Sequence, residues 1–270
     1  MKTPHPKDEC GRAAISVLCS TVCGCAAIQR NQVTMQSIRK SRYGMTEIRV
    51  LRTREEKAVT RALYERVFPE DSARFLDWYY RDRCSDNIIL AMWKDGQLVA
   101  MAHLNPFVMR TKKGTRARVY YIYAVATVPE ARHQGCMAAL LRRSFQLMEE
   151  EHIPFCFLLP VDESIYQPFD FHTVCDFQTT KATDYAAVQQ AYDVYIEEND
   201  DDVRRVQAQQ AMAAEADETS DTGLPAHPVI MARILSLPDF LSFSGLPEET
   251  DRTQAINWLR QRRIYIAEAV

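Results

Sequence analysis

The residues best suited to chemistry in this chain lie in the run Pro129-Glu-Ala-Arg132-His-Gln-Gly135-Cys-Met137. A strand-like segment precedes the run and an amphipathic one follows, so Gly135 marks a helix start. Backbone N–H groups in the first turn of a helix lack intrahelical acceptors, and the aligned peptide dipoles leave partial positive charge there. An anion is well held at such a place. Gly135 has no Cβ, so phosphate oxygens can come close to the backbone. Arg132 and His133 add positive charge nearby. The chemistry implied is a pyrophosphate cradle, although an ordinary strand–turn–helix link with Gly at the turn has the same pattern. A second group is Ser164-Ile-Tyr166-Gln-Pro-Phe-Asp170-Phe171. Its tyrosine reads either as a proton donor or as a packed side chain with its hydroxyl bonded, as buried tyrosines commonly are.

Both segments resemble the GNAT acetyltransferases. The first is similar to that family's motif (Arg/Gln)-x-x-Gly-x-(Gly/Ala), with Met137 in place of the usual small residue. The second is similar to its Tyr-x-x-Phe-Gly-(Phe/Tyr) segment, with Asp170 where Gly is usual; a left-handed backbone tolerates Asp there. The resemblance spans about residues 45–180. It implies an α/β (α+β) GNAT acyl-CoA N-acyltransferase fold, a mixed central sheet with helices on both faces. It also implies acetyl-CoA as co-substrate, direct transfer, and an amine-bearing small molecule or peptide as acceptor. The anion cradle maps to Arg132, His133, Gln134, Gly135, Cys136, Met137 and Ala138. The strand backbone that bonds the pantetheine arm maps to Val125, Ala126 and Thr127. Tyr166 becomes the general acid that protonates the departing CoA thiolate; the ordinary values, about 8.5 for a thiol and about 10 for a phenol, permit that transfer. Glu130, His103, Asp162 and Glu163 are candidates for the base, and a water relay is another; none is singled out. The alternative reading, motivated by Met137 and a short C-terminal half, is an acetyl-CoA-binding sensor without turnover.

The stretch Ile230-Met-Ala-Arg-Ile-Leu with Phe240-Leu241 resembles the start of the sterol-carrier-like domain that ends the enhanced-intracellular-survival (Eis) proteins, and Pro160–Phe171 resembles their Tyr segment. On that plan residues 181–228 are too short for a second GNAT-like domain, and residues 229–270 too short for a whole carrier-like one. That branch's terminal carboxylate as base and its hexameric assembly are therefore not carried over. A homo-oligomer of some kind stays open.

The elements that must position these residues are legible around them. Glu47–Leu51 alternates like a strand, and Thr53-Arg-Glu-Glu56 is a capping box. Val59, Leu63 and Val67 follow at helical spacing, Pro69 stops the helix, and a second covers Ser72–Arg81. Asp95-Gly96 joins Ile88–Trp93 to Leu98–Val108 as a hairpin. Val119–Val128 is apolar on both faces, as a central strand is. A helix over Gln134–Glu151 carries the stripe Met137, Leu140, Leu141, Phe145, Met148. Strands at Phe155–Leu159 and Phe171–Thr179 close the domain.

Four regions result: a basic, Cys-containing leader over 1–44, expected to be disordered; the domain 45–180; an acidic helical or linker region over 181–228; and the segment 229–270. Met45 reads as the start of the domain proper. A net charge of −3 gives no basic field to attract nucleic acid. No apolar run reaches the roughly 18 residues of a membrane-spanning helix, so no membrane partner is expected. Four of the eight cysteines crowd the leader as C-x8-C-x3-C-x-C, which is not a zinc spacing, and no metal is expected. Cys84, Cys136, Cys156 and Cys175 are scattered through apolar sequence, which suits reduced, packed thiols and a cytoplasmic location.

Overall fold

The computed structural model describes residues 39–40, 45–178, 184–197, 204–205, 208 and 226–267. Most of the predicted leader and most of the acidic stretch lie outside them; Arg39–Lys40, which the sequence reading places in a disordered leader, instead pair with Met45–Thr46 as a short strand. All of the described residues lie in one compact unit, within Gln36–Val270.

Among the described residues ten strands build one mixed sheet. β1 (Arg39–Lys40), β2 (Met45–Leu51), β3 (Ile88–Lys94), β4 (Gln97–Thr111) and β5 (Arg116–Thr127) run antiparallel in chain order. β6 (Phe155–Leu158) lies parallel to β5. β7 (His172–Asp176) ends the order, because β9 (Val229–Ile234) enters between β6 and β7, antiparallel to both. β8 (Val194–Ile196) pairs with the far end of β4 and with β10 (Ile264–Tyr265).

The sequence predicts one helix from Thr53 to Val67; the structure has two, α1 (Arg54–Ala58) and α2 (Arg61–Val67). The capping box at Thr53 and Glu56 forms. The chain then breaks at Val59, which is 53% exposed instead of joining the buried stripe, while Leu63 is buried. The break frees the buried Thr60 hydroxyl to bond the Lys57 carbonyl and the Tyr80 hydroxyl. α3 (Ala73–Arg81) is capped by Ser72 and buries Leu76, Trp78 and Tyr79. α4 (Cys136–Glu150) begins two residues later than its apolar period suggests, and it packs against β3, β4 and β5 through Leu140, Leu141, Phe145 and Met148.

The segment 229–270 resembles the opening of a further domain, yet its first strand belongs to the main sheet. The physical reason is its own apolar content: Ile230, Met231, Ala232 and Ile234 are all buried, so the strand must be covered on both faces. α6 (Leu237–Ser244), which follows α5 (Tyr185–Ala191) in the chain, packs Phe240 and Phe243 against Phe155 of β6. α7 (Arg252–Arg260) lies on β7 and β9. Residues 177–228 are thus an excursion between two strands that flank each other. Its described part returns to the core: Glu197 pairs with Arg110 and Arg116 at the β4–β5 hairpin. Among the described residues no helix is long and apolar enough to cross a membrane. Cys84, Cys136, Cys156 and Cys175 are free thiols, the first three buried.

Candidate functional site

After β5 the chain makes a single 3-10 turn (Pro129–Ala131) and reaches α4 through a loop in which His133 and Gly135 both have left-handed backbone, φ 61° and 78°. Alternating hands of this kind gather successive N–H groups into a concave anion nest. The first helical bond is Ala139 N–H to the Gly135 carbonyl, so the N–H groups of Cys136, Met137 and Ala138 precede the ladder. A Cβ built on Gly135 would meet nothing within 4 Å, so the mouth of the cradle is open. Arg132, His133, Gln134 and Gly135 are exposed around it. Gln134 is held from both sides: its Nε2 donates to the Glu130 carbonyl and its Oε1 accepts from Lys94 Nζ at 2.6 Å. The side chains of Cys136 and Met137 turn to the core, which leaves their N–H groups to the nest. Cys136 is buried, with burial pushing its thiol pKa up, and Met137 packs against the core.

The strand leading to the cradle is irregular where it matters. β5 pairs with β6 only at Tyr120↔Cys156 and Tyr121↔Phe157, so the two strands fork beyond these residues. On its other side β5 carries a bulge opposite β4, between Tyr123 and Ala126. Ala124 sits in the bulge with φ 46°, a conformation that costs a non-glycine residue roughly 1–2 kcal/mol. Val125, Ala126 and Thr127 follow on the open arm of the fork. Arg132 turns back to this arm, its Nε donating to the Thr127 carbonyl at 3.2 Å.

Tyr166 lies just past the end of β6, between two 3-10 turns, Glu163–Ile165 and Gln167–Phe169. Its ring meets Phe171 edge-on, 6.0 Å between centroids. Among the described residues its hydroxyl has no hydrogen-bond partner, and burial pushes its pKa up to about 12. It acts electrostatically on Tyr121 at the fork, so both phenols lie near that point. The segment is held by a residue from the last part of the chain. Arg233 of β9 donates to the Phe169 carbonyl at 2.5 Å, approaches Asp170 at 3.5 Å and stacks over Phe145 of α4. Asp170 takes the left-handed backbone that the sequence pattern asks of this position, φ 62°.

The four candidate bases are all otherwise engaged. His103 is fully buried, its Nδ1 2.8 Å from the Tyr79 hydroxyl, and burial lowers its pKa to about 3. Glu130 pairs with Arg66 at 2.5 Å on the surface. Asp162 caps the turn at Ser164, whose hydrogen bond holds its carboxyl low. Glu163 accepts from the Thr173 hydroxyl. Two features escape a reading of the sequence. Lys94 reaches the cradle from the end of β3, a position set only by the hairpin's register. Tyr64 bonds both Asp71 and Tyr123, each at 2.8 Å. The alternation of Tyr121 and Tyr123 on one strand face was the available signal for the second.

Residues 47–174 match the family model of the acetyltransferase (GNAT) domain. No curated protein matches the sequence. Among solved structures, a probable N-acyltransferase from Enterococcus faecalis is similar at 19% identity, TM-score 0.44, over 48% of this chain and 33% of that one. Eis1 from Mycobacterium abscessus is similar at 15% identity, TM-score 0.48, over 62% and 48%. A GCN5-related N-acetyltransferase from Kribbella flavida is similar at 15% identity, TM-score 0.47, over 73% and 74%. The chain therefore spans a third to a half of the length of the first two. The sheet and helices described above are a mixed α/β arrangement, and residues 47–174 of it are the part that matches the GNAT domain.

Proposed function

We propose that this chain, whose residues 47–174 match the acetyltransferase (GNAT) domain model, is an acyltransferase that moves the acetyl group of acetyl-CoA directly to a primary amine of a small molecule or peptide. The observation that carries this reading is the juxtaposition of an open, cation-lined nest at the start of α4 with the fork between β5 and β6. A pyrophosphate in the nest would be bonded by the N–H groups of residues 133–138, with Arg132 and Lys94 supplying charge and the His133 ring a further donor. The pantetheine arm would run along Val125, Ala126 and Thr127, which brings the thioester toward Tyr121 and Tyr166.

The amine nitrogen attacks the thioester carbonyl, the carbon–sulfur bond breaks, and sulfur leaves with the electron pair. Tyr166 supplies the proton that sulfur takes. With its pKa pushed up to about 12, Tyr166 carries that proton at neutral pH. The transfer to a thiolate of ordinary pKa, about 8.5, is uphill. The surroundings that desolvate the phenol disfavour the thiolate as well, which narrows the gap. An Eis-like range of acceptors is part of this proposal only through the Pro160–Phe171 segment.

The test is a thermal-shift titration of the full chain with acetyl-CoA, beside Gly135→Glu and Tyr166→Phe. A ligand bound only by the folded state stabilises it by about 2.7 kcal/mol at a hundred times its Kd. The parent and Tyr166→Phe should show a saturable rise. Gly135→Glu should show none, since its carboxylate would occupy the mouth of the nest. Turnover with an amine should fall roughly 100-fold in Tyr166→Phe, the usual contribution of a positioned acid. A folded parent that does not respond to acetyl-CoA would refute the reading.

A further inference from the structure

Direct transfer leaves one proton without a destination, that of the acceptor amine. Resting on the transfer reading above, we propose that Tyr123, Tyr64 and Asp71 form a proton relay in which Tyr123 takes the amine proton and Asp71 is its final acceptor. The chain of hydrogen bonds is continuous: Tyr123 Oη lies 2.8 Å from Tyr64 Oη, and Tyr64 Oη donates to Asp71 Oδ2 at 2.8 Å. A phenol has one proton to donate. Tyr64 commits its proton to the carboxylate, so Tyr123 must donate to Tyr64. The lone pairs of Tyr123 are then left to accept from a third group. The inner end of the relay is at the fork, because Tyr123 stands two residues beyond Tyr121 with ring centroids 5.8 Å apart. Tyr121 in turn feels both Tyr123 and Tyr166. Donor and acceptor of protons would thus flank one point. The outer end, Asp71, is partly exposed just before α3 and can pass its proton to water.

The protons balance in one concerted shift. As the amine N–H bond breaks, its proton goes to Tyr123 Oη. The proton of Tyr123 moves to Tyr64 Oη, and that of Tyr64 to Asp71 Oδ2. Burial raises both phenols far above their ordinary value, so no tyrosinate is formed on the way. The groups around the relay are Glu70 beside Asp71, Tyr79 and Tyr80 of α3, His103 of β4, Cys84, and Tyr121 of β5. Glu70 is the one acidic side chain among them. Burial raises the Asp71 carboxyl, the bond from Tyr64 opposes this, and Glu70 adds to it, which moves the carboxylate toward the range of a working base.

The experiment follows CoA release from acetyl-CoA by the full chain between pH 5 and 9, for the parent, Asp71→Asn and Tyr123→Phe. The acceptor probes are spermine, Nα-acetyl-lysine methylamide and kanamycin, with water as the background acceptor. All three proteins should show the same acetyl-CoA thermal shift, which reports an intact fold and cofactor side. CoA release at pH 7 should fall about 100-fold in both variants, the scale of a lost general base. In the parent kcat should rise with pH through a step belonging to Asp71, and Asp71→Asn should lack that step; a merely structural hydrogen bond would leave it in place. If Asp71→Asn keeps the parent's profile and stays within about threefold of its rate, a loss far below that of a general base, the relay is wrong. If the parent itself binds no acetyl-CoA, or releases no CoA to any acceptor, the transfer reading falls and the relay with it, a result visible in the parent alone.

Discussion

His103 is fully buried beside Tyr79, and burial lowers its pKa to about 3. The unfolded chain takes up a proton at this residue below about pH 6.5, and the folded chain does not until far lower. The stability gained by keeping the ring neutral is therefore complete above about pH 6.5 and is lost as the pH falls toward 3. Linkage puts the loss between pH 7 and pH 5 at about 2 kcal/mol. Urea unfolding at the two pH values should show it in the parent, and His103→Gln, though less stable overall, should show a flatter dependence. An equal slope in both proteins would mean that another group sets the acid sensitivity. His103 was a candidate base on residue type alone, and its burial is what the sequence conceals. The positions of Gly135 and Tyr166 were legible as candidates because the residues beside them in sequence form recognisable motifs. Lys94 and Asp71 were not, because each reaches its partner across a distance that only tertiary structure sets.

The elements were largely legible where a period or a cap announces them. The Asp95-Gly96 hairpin, the capping box at Thr53 and the apolar stripe of α4 are all present. The break at Val59 was not, because helical spacing continues straight through it; tertiary bonds to Thr60 override local preference. The same limit hides the pairing of β9, whose apolar run announces a buried strand but not its neighbours. Through Arg233 that strand holds the turn after Tyr166. Arg233→Ala removes a charge-assisted bond to the Phe169 carbonyl and the cation over Phe145. It should cost about 2 kcal/mol of stability. It should also lower turnover more than it weakens the acetyl-CoA thermal shift, with Arg233→Lys recovering part of the rate. A variant as active as the parent would free Tyr166 from any dependence on β9.

For the molecule as a whole, the family match ends at residue 174, while the sheet also needs Val229–Ile234 between β6 and β7. A chain stopped after residue 228 leaves Phe155 without Phe240 and Phe243, and leaves β6 and β7 without the strand that pairs with both. It should lack a cooperative unfolding transition by circular dichroism and be cut readily by protease; a sharp transition would show that the matched region folds alone. The same arrangement bears on how the chain is made. Roughly fifty residues separate Asp176 from Val229, some 3–10 s of synthesis at about 5–20 residues per second. Throughout that interval the nascent β6 and β7 present open edges able to pair with any passing strand. Translation speed across the acidic excursion, and a chaperone's hold on those edges, would then set the yield of native protein as surely as any contact in the finished sheet.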